Sequence, residues 1–282
     1  MQIRRPTQAG SFYAGDAQAL KQQIEGCFLH SFGPGKLPKV AAKGARKVVG
    51  LVSPHAGYIY SGPVAANAYY ALALDGQPET VVILGPNHTG YGSALALMDE
   101  GAWRTPLGDV EVDTVVAREL CRETSLVDVD ESAHRFEHSV EVQLPFLQYL
   151  FGSEFKFVPV CFQLQDFESA DEVGNALAEV LSERNAVVIA SSDFTHYEPQ
   201  VSAERKDLAA LEAVKAMDAK RFVGIIEKRN VTACGYGPIA ATITASKGLL
   251  AKEATLLRYR TSGDITGDKS SVVGYAAVCF KK

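Results

Sequence analysis

The sequence predicts a three-layer α/β/α fold on a mainly parallel central sheet. Three observations carry this expectation. Short, almost wholly apolar runs at 48–52, 81–84 and 187–190 have the pattern of strands covered on both faces. Helical periodicity fills the intervals, and strand–helix–strand succession forces parallel pairing. Each apolar run also breaks off within a few residues of a histidine. Pro54-His55-Ala56-Gly57 follows the first, Pro86-Asn87-His88 the second, and Ser191-Ser192-Asp193-Phe194-Thr195-His196 the third. Proline cannot donate to a ladder and glycine tolerates unusual dihedrals, so strands stop at such residues. Parallel strands would bring all three histidines to one rim, the edge where open α/β sheets bind ligands.

The elements follow in order. Residues 1–16 carry Pro6, Gly10 and Gly15 and predict an irregular segment that Phe12 and Tyr13 pin to the body. Asp16 is an N-cap for a helix to about His30, with Leu20, Ile24, Cys27 and Phe28 at helical spacing. Residues 31–46, with Gly33-Pro34-Gly35, predict an exposed loop. After the first strand, Gly62-Pro63 opens a helix with proline at its favoured first position. Strands follow at 80–85 and 94–98, then a hairpin at 103–112 turning between Pro106 and Asp109. A helix at about 113–124 takes Asp113 or Thr114 as its cap. His134 to Pro145 leads into another helix, which Pro145 kinks or restarts. A strand at 155–161, a helix at 167–184 and a strand at 186–191 form a second βαβ-like unit. Helices at 201–216, 218–228 and 236–249 precede two antiparallel-looking strands, 254–261 and 271–280. No linker separates the histidine strands, so residues 1–282 read as a single domain.

Composition narrows the class. Hydrophobic residues make up 47% and charged residues 22%, an ordinary globular balance. The formal net charge of −5, with no long basic run, argues against nucleic acid or an anionic membrane as partner. Five cysteines, an odd count without Cys-x-x-Cys, argue against a disulfide framework and for a reducing interior. The N-terminal residues lack the apolar core of a secretory signal, and no stretch approaches the roughly 20 apolar residues that span a bilayer. The expected location is the cytoplasm.

Several residues could carry chemistry. Convergent titratable groups at a sheet rim mark a site, which points to His55, His88 and His196; the alternative for each is a hydrogen bond to a loop carbonyl. Asp193 either orients His196 or caps a turn. His138 and Glu141 would share a helix face at i, i+3, as site residues or as a solvated first turn. His134 and His138 would form a His-x-x-x-His pair if the helix started early, a weaker reading because the Glu of a zinc-protease motif is misplaced. Cys234 precedes a helix in Cys234-Gly235-Tyr236-Gly237-Pro238, where a helix N-terminus favours the thiolate, so it reads as a ligand or nucleophile. The other cysteines read as core. Two imidazoles and a thiolate suit zinc, iron or copper, not magnesium or calcium.

Ordered motifs along nearly the whole chain resemble the Memo family. They are Arg5-Pro6 with Ala9-Gly10-Ser11-Phe12-Tyr13, Pro54-His55-Ala56-Gly57-Tyr58 with Tyr60-Ser61-Gly62, and Gly85-Pro86-Asn87-His88. Glu137-His138-Ser139-Val140-Glu141 with Gln143-Leu144-Pro145, Ser191 to His196, and Cys234-Gly235 with Pro238-Ile239 complete the set. The family resembles in fold the class III extradiol dioxygenases, which hold non-heme iron(II) with two histidines and a glutamate and cleave catechol rings. The resemblance implies His55, His88 and Cys234 as metal ligands, with Asp193 and His196 lining the same pocket. Bacterial and archaeal members often sit beside a radical-SAM protein and an AMMECR1-like protein, which implies partners in a shared pathway.

Two functional readings follow. In the first, the chain is a metal-dependent redox enzyme acting on a small-molecule substrate. Iron is the first expectation for its metal, with copper or zinc as alternatives. His196 is its catalytic acid–base, oriented by Asp193 or a neighbour, and His138 steadies either the substrate or the groups around the metal ligands. In the second, the pocket binds a peptide or small anionic ligand without catalysis. A zinc hydrolase is a weaker third reading.

Overall fold

The computed structural model describes residues 2–42 and 46–282. β1 (Ile3–Arg4) is followed by α1 (Ala17–Leu29), whose first N–H groups at Gln18 and Ala19 donate to the Asp16 side chain. β2 (Val48–Ser53) is buried along its whole length. α2 (Gly62–Asp75) begins with Pro63 in its first turn. β3 (Thr80–Pro86) is buried throughout, β4 (Leu95–Leu97) follows, and β5 (Ala102–Thr105) and β6 (Gly108–Glu111) form the expected hairpin. α3 (Thr114–Glu123) is capped by Asp113, which accepts from the Val116 N–H. β7 (Asp128–Val129) leads to two 3₁₀ turns, Glu131–His134 and Glu141–Gln143, and then to α4 (Leu144–Phe151). β8 (Lys156–Phe162), α5 (Phe167–Leu181) and β9 (Ala186–Ser191) follow. β10 (His196–Glu198), α6 (Gln200–Lys215), α7 (Ala219–Arg229), α8 (Tyr236–Gly248), β11 (Glu253–Thr261), α9 (Ser262–Thr266) and β12 (Val272–Lys281) complete the chain.

A large central sheet runs in the order β10-β12-β2-β9-β3-β8-β4-β7, with β11 also paired to β12. Its centre is parallel: β2 pairs with β9, β9 with β3, and β3 with β8. The flanks are antiparallel, β12 against β2 and β4 against β8. Ser53 aligns with Ser191, and Leu84 with Ala190, so β2, β3 and β9 end level at one rim. Helices flank the sheet. α8 packs on β2, β3 and β9 and is backed by α5, while α2 packs on β2 and β12 and is backed by α1. A small second sheet joins β1, β5 and β6. All five cysteines are free thiols. Among the described residues, no helix is long and apolar enough to cross a membrane.

One local expectation fails. The helix read from His138 toward Pro145 is not formed until Leu144, and His138 lies in an irregular link between the two 3₁₀ turns. Pro145 falls in the first turn of α4, where its missing N–H costs nothing, so it starts the helix and does not kink it. His138 and Glu141 therefore do not share a helix face. Glu141 instead pairs with buried Arg4 at 2.6 Å and accepts from the Tyr13 hydroxyl at 2.7 Å. These bonds tie the N-terminal segment to the body, as the placement of Tyr13 predicted.

Candidate metal centre

Each site residue sits just past the end of a buried strand, or on a loop reaching the same rim. Pro54 ends β2, and His55 is held by its own N–H, which donates to the Asp193 carboxylate at 2.9 Å. Beyond β3, Asn87 builds an Asx turn, its Oδ1 accepting from the N–H groups of Thr89 and Gly90, and this turn presents His88. The loop between the 3₁₀ turns supplies Glu137 and His138. Phe12, anchored by its carbonyl to the Tyr58 N–H at 2.8 Å, covers the His138 ring at a centroid distance of 4.7 Å.

Three histidines converge. One ring nitrogen each from His55, His88 and His138 lies within 4.8 Å of the others, a spacing that could hold a metal ion. His88 and His138 stack at 4.4 Å between centroids, and His55 stands edge-on to both at 5.2 Å. Glu137 arranges the pair. Its Oε1 lies 2.9 Å from His88 Nδ1 and 3.3 Å from His138 Nδ1. The backbone N–H groups of His88, His138 and Ser139 also donate to it. A carboxylate facing so many donors is ionised and can only accept, so His88 carries its proton on Nδ1 and leaves Nε2 with a free lone pair. Sequence reasoning missed this role of Glu137. Its signal was the position directly before His138, which reads as easily as an acidic first helical turn.

Burial drives the charge states. Burial pulls the His55 imidazole well below its usual range, and the neighbouring histidines push it further in the same direction. His138 falls to about 4, because burial and His88 outweigh the Glu137 carboxylate. Burial pushes Glu137 up, but its His88 and His138 contacts and the Ser139 N–H bring it down to about 2. Neutral imidazoles are the form that ligates metal.

Cys234 lies beside this group. Its Sγ is 3.2 Å from His55 Nε2 and accepts from the Asp193 N–H at 3.3 Å. The sequence favoured a thiolate here, since Gly235 caps α8. The structure reverses that expectation for the unligated thiol: burial raises its pKa strongly, and the Asp193 carboxylate adds to the effect. Asp193 itself rises to about 6 through burial, against the donating His55 N–H. It faces His55 and does not set the orientation of His196. Thr232 does that, its Oγ1 accepting from the His196 N–H at 2.7 Å and its carbonyl from Nδ1 at 2.9 Å. A carbonyl only accepts, so His196 also keeps a free Nε2 lone pair. His55, His88, His138, Asp193, His196 and Cys234 all line one open cavity of about 560 Å³, with Phe12 and exposed Tyr197 among its walls.

Comparison with known proteins agrees along nearly the full length. The sequence profile of the family described as Memo-like protein matches residues 4–279. A MEMO1 family protein of Methanopyrus kandleri is 54% identical over 281 residues, covering 99% of each chain. One from Methanothermobacter thermautotrophicus is 54% identical over 276 residues, covering 97% of this chain and 99% of that one. One from Sulfurisphaera tokodaii is 48% identical over 282 residues, covering 99% of each. Among solved structures, an uncharacterized protein of Escherichia coli K12 superposes with a TM-score of 0.56 at 13% identity, covering 82% of this chain and 99% of its own. That last likeness supports the fold alone.

Proposed function

This chain belongs to the family of Memo-like proteins, and from that premise we propose that it is a metal-dependent redox enzyme acting on a small molecule in the cavity at the sheet rim. The observation that carries the reading is the single carboxylate of Glu137 beneath His88 and His138, which turns both imidazoles toward His55. Three imidazoles with a thiol alongside suit iron, copper or zinc and do not suit magnesium or calcium. Iron is our first assignment. His55, His88 and His138 would hold the ion, with Cys234 as a further donor next to His55. When bound, the metal would supply Lewis acidity and, if iron or copper, one-electron chemistry.

The chain's own residues do the rest. His196, with Nδ1 fixed on the Thr232 carbonyl, offers Nε2 to take a proton from the substrate or return one. Asp193 holds the backbone of His55 in place, and Phe12 shields the outer face of His138 from water. Tyr197 stands 79% exposed on the cavity wall, which also fits a binding module that takes a peptide or small anion. Anaerobic purification followed by metal analysis separates the two readings. Stoichiometric iron or copper that disappears in a His55→Ala, His88→Ala protein supports the enzyme. A wild type that neither carries nor takes up iron, copper or zinc refutes it.

A further inference from the structure

Beneath His55 lies a chain of buried hydrogen bonds with no obvious part in the core. Gln143 Nε2 is 3.0 Å from the Pro54 carbonyl oxygen and 2.7 Å from Ser191 Oγ. Ser191 Oγ is 2.6 Å from the Ser139 carbonyl oxygen and 3.0 Å from His55 Nδ1. The Tyr69 hydroxyl meets Gln143 Oε1 at the far end. Tyr69, His55, Ser139, Gln143 and Ser191 are all buried.

Hydrogen positions in this chain follow from two backbone carbonyls, which can only accept. The Pro54 carbonyl requires an N–H, which fixes the side-chain amide of Gln143 with nitrogen toward Pro54 and Ser191. Tyr69 then donates to the amide oxygen. The second N–H of Gln143 donates to Ser191 Oγ and occupies one of its two lone pairs. The Ser139 carbonyl requires the one hydroxyl hydrogen of Ser191. What remains on Ser191 Oγ is a single lone pair, and it faces His55 Nδ1. Two lone pairs cannot face each other at 3.0 Å in a dry site, so Nδ1 must carry the hydrogen.

We propose that Ser191, aligned by Gln143 and the Ser139 carbonyl, is a positioning residue that locks His55 in the Nδ1–H tautomer and so commits its Nε2 lone pair to the metal. The inference rests on the metal-centre reading for its purpose, but not for its test. His55 then matches His88, which Glu137 holds in the same tautomer by other means. A tautomer fixed before the metal arrives spares the site a proton rearrangement on binding, and partners of this kind typically change metal affinity about 10–100-fold. Cys234 offers a rival cause, since its S–H donating to His55 Nε2 would produce the same tautomer.

Long-range ¹H–¹⁵N correlation NMR on the metal-free full chain reads the tautomer directly. The wild type should show a proton-bearing Nδ1 and a pyridine-type Nε2 for His55. Cys234→Ala should leave that pattern unchanged, which removes the thiol as the cause and leaves two acceptors on Ser191, its hydroxyl and its main-chain carbonyl, for the next variant to separate. Ser191→Ala should give mixed or Nε2–H signals and lower zinc affinity about 10–100-fold, and Ser191→Thr, which restores the hydroxyl, should recover both. A wild-type Nε2–H form overturns the proposal. So does loss of the Nδ1–H form in Cys234→Ala, or its full retention in Ser191→Ala. If Ser191→Ala fails to fold, Ser191→Cys, which keeps the side chain's shape and weakens its acceptor, takes its place, and full retention of the Nδ1–H form there overturns the proposal. A correct tautomer in a protein that never binds zinc, iron or copper upholds the inference and refutes the metal centre.

Discussion

Glu137→Gln keeps side-chain volume and removes one charge, and it should strip the site of most of its metal affinity. Glu137 accepts the backbone N–H groups of His88, His138 and Ser139 and the Nδ1–H of His88, shared over both carboxylate oxygens. An amide retains one oxygen. Whichever way it turns, its NH₂ faces at least one of these donors, leaving a buried N–H without a partner at about 1–3 kcal/mol. Losing the carboxylate behind a ligating histidine typically weakens metal binding about 10–100-fold. Here two histidines lean on the same group, so the upper end applies: about 100-fold, or roughly 2.8 kcal/mol. Competition with a chromophoric chelator measures zinc affinity, and thermal unfolding of the same samples measures stability. Glu141→Gln is the control. Its carboxylate is as buried but serves Arg4, Thr7, Gln8 and Tyr13, so it should lower stability and leave metal affinity per folded molecule intact. Wild-type zinc affinity in Glu137→Gln, or an equal loss in Glu141→Gln, refutes the reasoning.

Other outcomes follow from the same geometry. His55→Ala, His88→Ala and His138→Ala should each abolish stoichiometric metal by elemental analysis, with a smaller loss in Cys234→Ser; retention in all three histidine variants would remove the centre. His196→Ala should keep its metal and lose about 10²–10⁴-fold of any turnover found in an oxygen-uptake screen, whereas loss of metal would make it a ligand. His134, buried beside the Arg4 charge, drops to about 3, so the unfolded chain binds its proton first as pH falls. Its contribution is therefore full above about pH 6.5 and is lost toward pH 3, at about 1.4 kcal/mol per unit, and His134→Phe should flatten that part of a stability–pH profile measured in urea. Gly235→Ala should destabilise the fold and displace Cys234, because a Cβ there would lie 2.6 Å from the Ser191 carbonyl oxygen; unchanged thermal stability would contradict it.

The sheet rim was legible because β2, β3 and β9 are apolar at almost every position and end in proline or serine. Burial on both faces writes itself into sequence in that way. The convergence of His55 and His88 followed from those ends. His138 was harder. It lies between two 3₁₀ turns, and Glu137 with Glu141 imitates the acidic first turn of a helix. What separates them is tertiary: Arg4, from far away in sequence, claims Glu141. The raised pKa of the unligated Cys234 thiol gave no signal either, because position before a helix says nothing about burial, and burial outweighs the helix terminus here. Thr232 gave no signal, since it holds His196 partly through its main-chain carbonyl, which every residue type possesses.

β12 pairs with β2 on one side and with β10 and β11 on the other. During synthesis, β2 emerges on the order of 200 residues before that neighbour does, a wait of tens of seconds at about 5–20 residues per second. Through that interval one edge of a strand destined for full burial lacks its partner, and open apolar edges recruit other chains. The histidine delivered by β2 is thus among the first parts of the centre to be made, yet its strand is among the last to be closed in.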